Sequence, residues 1–168
     1  LDIDQFQLNS EIPNESSPIV AWVGRIEKNK NWREFILISK SLIRLHPQLR
    51  IWMFLDSIQY EEDEMASFRK QLDKKILSEN LTLFYDIPHD EMANYYSRIA
   101  KSLGFLCSTS ITEGFGYAIL EAMSCKCPVL TTNSDGISSF VHHNQTGKVY
   151  HQGRVAEALI HAKDLLGN

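Results

Sequence analysis

Cysteine is scarce and odd in number: 168 residues contain three, Cys107, Cys125 and Cys127, each in or beside an apolar run. That excludes a disulfide framework and favours reduced, buried thiols in a cytosolic setting. Cys125 and Cys127 flank a single lysine and have no matching Cys/His pair elsewhere, so no structural zinc is expected. Basic residues are not in excess either. A formal net charge of −4 and a pI near 5.9 give no electrostatic reason to expect a nucleic-acid or anionic-membrane partner, so any anion must be met by a local site. No run approaches the roughly 20 apolar residues that a membrane span requires. The opening LDIDQFQLNSEIPNESSP is acidic and polar, unlike a signal peptide. It begins with Leu1 and not Met, which reads as a piece of a chain whose native start lies upstream. What is present, 43% hydrophobic residues, suffices for one core of ordinary domain size.

After a polar leader over 1–18, IVAWVG (19–24) is short, β-rich and closed by a glycine, as expected of a buried parallel strand. From Asn31, read as an N-cap, Phe35, Ile38, Leu42 and Leu45 recur at helical spacing until Pro47 stops the pattern. The alternation continues: strand 50–55, charged helix 62–78, strand 81–86, helix 90–100, strand 102–108, helix 116–125, strand 127–132. A short helix near 137–142, the strand fragment 147–150 and a last helix from 154 complete it. Strictly alternating strands and helices predict an α/β fold: a doubly wound parallel sheet, Rossmann-like, in a single domain over 19–168. Ligands of such sheets bind beyond the carboxyl ends of the strands where the strand order reverses, which directs attention to loops 24–31, 86–89, 108–116 and 132–137.

Loop 24–31, GRIEKNKN, places Arg25 directly after the first strand and Lys28 and Lys30 just before a helix. Cations beside a helix N-terminus make an anion site for which phosphate is the natural guest. The same loop also reads as a solvated one in which Glu27 partners Arg25. In STSITEGFG (108–116), Gly114 and Gly116 bracket Phe115, so the backbone can turn tightly and approach a ligand without a Cβ in the way. Glu113 stands in that loop, and Glu121 lies in the apolar helix YAILEAMS, where a carboxylate is costly unless a polar group meets it. A glutamate on the solvent side of a surface helix would satisfy the pattern as well.

Together these features resemble glycosyltransferase family 4, the retaining enzymes of GT-B architecture. The family's E-G-F-G-x-x-x-x-E-A-M run followed by G-x-P-V is matched by Glu113, Gly114, Phe115, Gly116, Glu121, Ala122, Met123, Pro128 and Val129. Its upstream V-G-R with a lysine five residues on is matched by Val23, Gly24, Arg25 and Lys30. The resemblance spans about residues 19–166 and implies the C-terminal, donor-binding domain, with 1–18 as a leader from the interdomain region. It implies that Arg25 and Lys30 hold the donor diphosphate with the amides of Tyr117 and Ala118. Glu121 would meet the ribose, and Glu113 the sugar with the amides of Gly114, Phe115 and Gly116. Ile87 would lie beside the base.

The implied reaction is transfer from a UDP-sugar or GDP-sugar, UDP being favoured, to a saccharide or lipid-linked acceptor, with retention at the anomeric carbon and no metal or other cofactor. Fixed cations stabilise the diphosphate as it leaves. The acceptor, and any peripheral contact with the inner face of the cell membrane, would belong to an N-terminal domain that this chain lacks, so the chain alone should bind donor and transfer little. The acidic runs EEDE (61–64) and LDID (1–4) read as solvated faces and not metal sites. His142 and His143 read as surface residues. One departure from the family stands out: in place of G-G-x-P-E-[IV]-[IV], Asp135 replaces the first glycine and Ser139 the glutamate, which puts the identity of the sugar in question. Two rival readings are a nucleotide-sugar 2-epimerase of the same architecture and a non-catalytic nucleotide-sugar-binding module.

Overall fold

The computed structural model describes residues 3–134 and 136–167. Six strands, β1 (Ile19–Val23), β2 (Arg50–Leu55), β3 (Leu81–Tyr85), β4 (Phe105–Ser108), β5 (Val129–Thr132) and β6 (Lys148–Tyr150), form one parallel sheet in the order β3-β2-β1-β4-β5-β6. The helices are α1 (Trp32–Leu45), α2 (Glu62–Leu72), α3 (Lys75–Ser78), α4 (Met92–Lys101), α5 (Tyr117–Ser124) and α6 (Val155–Leu165). Helices cover both faces, so the strands are apolar on both sides. In β1, Val20 and Trp22 join a core that includes Phe35, Ile38 and Leu42 of α1, whereas Ile19 and Ala21 join one that includes Ile99 of α4 and Ile119 of α5. Chain direction across the sheet reverses between β1 and β4, which places the crevice at the ends of those two strands. No helix among the described residues is long and apolar enough to cross a membrane.

Several boundaries differ from the sequence reading, each for a local reason. The long charged helix breaks into α2 and α3. The strand expected from residue 102 begins at Phe105, because Leu103 turns the chain at φ 62°. Gly104 then passes so close to β1 that a Cβ would lie 1.8 Å from the Ile19 carbonyl oxygen. The strand expected from Cys127 begins at Val129. Asn31 does occupy the N-cap position of α1, but in a left-handed conformation with no side-chain capping bond. The helix expected near 137–142 is a series of turns. Ile137 and Val141 bury their side chains there, while the Thr146 hydroxyl donates to the Phe140 carbonyl and accepts from the His142 amide.

Glu64 is a further correction: it does not belong to a solvated acidic face but is buried, accepting from Trp32 Nε1 at 3.1 Å and from Arg33. Glu61, Glu62 and Asp63 are exposed. The three thiols are buried, and burial pushes Cys125 up to about 11 and the other two higher still, so they are inert. His142 and His143 lie on the surface. The segment ahead of β1 is tied down: Phe6 is buried against the α4 side, and Glu15 accepts from Arg98 Nε at 2.9 Å and from Arg50 Nη2 at 3.2 Å.

Candidate functional site

The first wall of the crevice grows out of β1. Gly24 donates its amide to the Phe54 carbonyl at 3.1 Å, and a Cβ there would meet the Trp22 ring at 2.9 Å. Arg25 follows, half exposed, with Nη1 3.0 Å from Gln59 Oε1 and 3.9 Å from Glu27 Oε2. The Glu27 contact is at the outer limit of an ion pair, so it leaves the guanidinium able to turn toward a ligand. A 3-10 turn over Lys28–Lys30 then directs Lys30 inward, where its Nζ lies 3.3 Å from Glu113 Oε2.

The second wall is the loop after β4, which is laced to the first. The Ile111 amide donates to the Asn29 carbonyl at 2.8 Å. Asn29 Oδ1 accepts from the Thr112 amide at 3.1 Å and its hydroxyl at 2.9 Å, and Asn29 Nδ2 donates to the Thr112 carbonyl at 3.0 Å. These bonds hold Lys30 and Glu113 in register although 83 residues separate them in sequence. Glu113 Oε2 also accepts from Ser110 Oγ at 3.2 Å. At Gly116 the chain enters α5 through φ 67°, and a Cβ would meet Ile137 Cδ1 at 2.6 Å, so glycine is required there. A Cβ on Gly114, by contrast, would meet nothing within 4 Å, which leaves its backbone open to the crevice. The side chain of Phe115 is exposed and stacks on Tyr117, with ring centroids 5.2 Å apart.

Glu121 is only 4% exposed, which rules out the solvent-face reading. The polar group that meets it is His89, whose Nε2 lies 2.8 Å from Glu121 Oε2. Behind it stands Tyr96, buried against α5; burial first, and then the charge of Glu121, hold its phenol well above its ordinary value, so it stays neutral.

These walls enclose a cleft of about 490 Å³. Every residue to which the resemblance assigns a donor contact lines it: Gly24, Arg25 and Lys30 from the first loop, Ile87 after β3, Glu113 through Ala118 from the loop after β4 and the start of α5, and Glu121 from α5. The first amides of a helix have no partners within it, so Tyr117 and Ala118 offer donors to the cleft that the two cations also line. Lys28 does not line the cleft; its amide donates to Glu61 Oε1 at 2.7 Å. Ser139 sits exposed in the 136–140 turns, and Asp135 lies outside the described residues. A second hollow, of about 480 Å³, adjoins Glu113 and Gly114 on the side of Thr112, Ser134 and Gly136.

Sequence reasoning missed His89, Asp56 and Asp86, which also line the cleft. Both aspartates directly follow a strand, where the switch-point rule could have found them. Asp56 accepts from the Gln59 and Ile58 amides, each at 2.8 Å, and those bonds together with the nearby Arg25 charge hold its carboxyl below the usual range. Asp86, at φ 55°, accepts from the Ser57 amide at 2.9 Å and from its hydroxyl. His89 closes loop 86–89, but its bond to Glu121 had no local signal, because the two are 32 residues apart.

A doubly wound sheet with cations and a helix N-terminus lining one cleft at its switch point defines a Rossmann-like α/β domain. The family model for "Glycosyl transferases group 1" matches residues 4–167, and the chain belongs to that family. A probable sucrose-phosphate synthase from Thermosipho melanesiensis is 30% identical over 90 residues, which is 54% of this chain and 21% of that protein. Among solved structures, the C-terminal domain of a group 1 family glycosyl transferase from Francisella tularensis superimposes with a TM-score of 0.83 at 18% identity, covering 100% of this chain and 88% of that one. HepE from Anabaena, determined in complex with UDP-glucose, gives 0.80 at 20% identity, covering 99% of this chain and 46% of that one. The fold is therefore that of a GT-B C-terminal domain. The chain spans about one fifth of the synthase and under half of HepE.

Proposed function

We propose that this chain is the donor-binding domain of a retaining glycosyltransferase of family 4, and that the cleft takes a nucleoside diphosphate sugar, UDP-linked in preference to GDP-linked. The observation that carries the reading is the convergence of Arg25, Lys30, the N-terminus of α5 and the buried carboxylate Glu121 on one cleft. Arg25 and Lys30 neutralise the diphosphate, and the amides of Tyr117 and Ala118 complete its cradle. Glu121 accepts from the ribose hydroxyls, Ile87 borders the base, and Glu113 with the open backbone at Gly114 faces the sugar. As the glycosidic bond breaks, negative charge gathers on the diphosphate opposite the fixed cations, so the reaction runs without a metal ion.

The acceptor, a saccharide or lipid-linked saccharide, belongs to the other half of a two-domain protein, so this chain by itself binds donor without appreciable transfer. Its setting is the cytoplasm, with membrane contact confined to that other half. The deciding experiment is calorimetric competition between UDP and GDP, repeated with EDTA. UDP binding that survives chelation and exceeds GDP binding is expected. Binding of neither nucleotide would refute the reading, and loss of binding with EDTA would refute its metal-free part.

A further inference from the structure

His89 bonds the buried carboxylate of Glu121 from the turn that follows β3. It opens a 3-10 turn over His89–Glu91, just after Pro88 at φ −56°. Its side chain is 58% exposed, yet its ring is fixed on two sides. Nε2 lies 2.8 Å from Glu121 Oε2, and the ring of Phe6 meets the imidazole edge-on with centroids 5.1 Å apart. Phe6 is itself 1% exposed and packs 6.2 Å from Tyr96, which lines the cleft. A continuous line of contacts thus runs from the segment ahead of β1, through His89, to the carboxylate at the base of the donor site.

Glu121 projects from an apolar helix between Ile119 and Ala122, both buried. A carboxylate there needs a donor, and with Glu121 ionised Nε2 must carry the hydrogen. The bond is the one His89 makes with this side chain, and it engages Oε2, leaving Oε1 to meet the cleft in a set orientation. Holding an acceptor in place before the ligand arrives removes the cost of ordering it on binding.

We propose that His89 is a positioning residue for Glu121, and that Phe6 sets the angle of the His89 ring, which makes the segment ahead of β1 part of the donor site. The proposal rests on the reading of Glu121 as the ribose acceptor. Its readout is the preference for UDP over 2′,3′-dideoxy-UDP, which isolates the ribose contact from the diphosphate and base. Calorimetry on the full chain should show wild type preferring UDP by at least about tenfold, as for one hydrogen bond to a charged group. His89→Ala should cut that preference at least about threefold while leaving dideoxy-UDP affinity within about twofold. His89→Gln, whose amide can donate to the same oxygen, should restore most of it, and Phe6→Leu should lower it in part. Equal weakening toward both ligands, or a preference untouched by His89→Ala, overturns the proposal. A Phe6→Leu variant that melts earlier but keeps the full preference overturns the part assigned to Phe6. If wild type binds UDP but shows no preference over the dideoxy form, the ribose role of Glu121 falls and this proposal with it; if it binds neither, the donor reading itself falls.

Discussion

Replacing Glu113 by glutamine should raise affinity for the bare nucleotide and lower it for the nucleotide sugar, two changes of opposite sign from one oxygen-to-nitrogen exchange. The pairing of Glu113 with Lys30 explains the first. Glu113 Oε2 holds Lys30 Nζ at 3.3 Å, with side-chain exposures of 18% and 23%, so the ammonium proposed to meet the diphosphate is already paired. Ion pairs with this degree of solvent access are worth about 0–1 kcal/mol net. Removing the carboxylate charge releases Lys30 and should improve UDP binding by up to about fivefold. The sugar increment behaves oppositely: hydrogen bonds from sugar hydroxyls to an ionised acceptor contribute about 1.5–3 kcal/mol, and a neutral amide recovers little of that. Paired calorimetric titrations of wild type and Glu113→Gln with UDP and with UDP-glucose would measure both numbers. Should the substitution weaken UDP and UDP-glucose by the same factor, Glu113 would belong to the diphosphate end, and the division of labour between the two glutamates would be wrong.

Arg25→Ala should weaken UDP by about 1–3 kcal/mol in the same titration, the range for charge-assisted hydrogen bonds, and unchanged affinity would remove Arg25 from the site. Gly116→Ala combines a left-handed backbone at φ 67° with a Cβ 2.6 Å from Ile137 Cδ1. Strain of about 1–2 kcal/mol and overpacking of about 1–3 kcal/mol should lower the melting temperature by roughly 4–20 °C, and a melt unchanged within about 2 °C would contradict the geometry. Glu15 gives a pH signature. Burial alone would raise its carboxyl, but the bonds and charges of Arg98 and Arg50 outweigh it and hold it below the ordinary range. Its stabilisation is therefore complete above the unfolded value of about 4.3 and lost as pH falls through the lower folded value. Glu15→Gln should cost about 1–2 kcal/mol in urea unfolding at pH 7, with the gap closing in acid; a gap constant down to about pH 3 would exclude the ion pair as its source.

The strand–helix alternation was legible because each buried strand is a short apolar run on both faces and each helix switches the period, as IVAWVG followed by Phe35, Ile38 and Leu42 shows. The positions lining the cleft were legible because switch-point geometry and the glutamate spacing both point to the same loops. What escaped depended on partners far away in sequence. Glu64 looked solvated among acidic neighbours, but its environment is set by Trp32 and Arg33 on another helix. The apolar spacing of Ile137, Phe140 and Val141 imitates one helical face, yet Gly136 is pinned by its amide to the Glu113 carbonyl at 3.1 Å and the chain turns instead. His89 and Phe6 acquire their meaning only once α4 and α5 are packed together.

The reversal of strand order carries a mechanical consequence. β1 pairs with β2 from Ile19 to Val23, but with β4 only at Val20 and Ala21. The shortest seam of the sheet thus lies directly beneath the cleft, and it joins the half of the chain carrying Arg25 and Lys30 to the half carrying Glu113 and Glu121. Across that seam the loops rather than the strands provide much of the stitching, through Asn29 and Thr112. A ligand gripping both loops would act as a rivet over this line, so that occupancy would be felt first as slower hydrogen exchange at the amides that bridge β1 and β4.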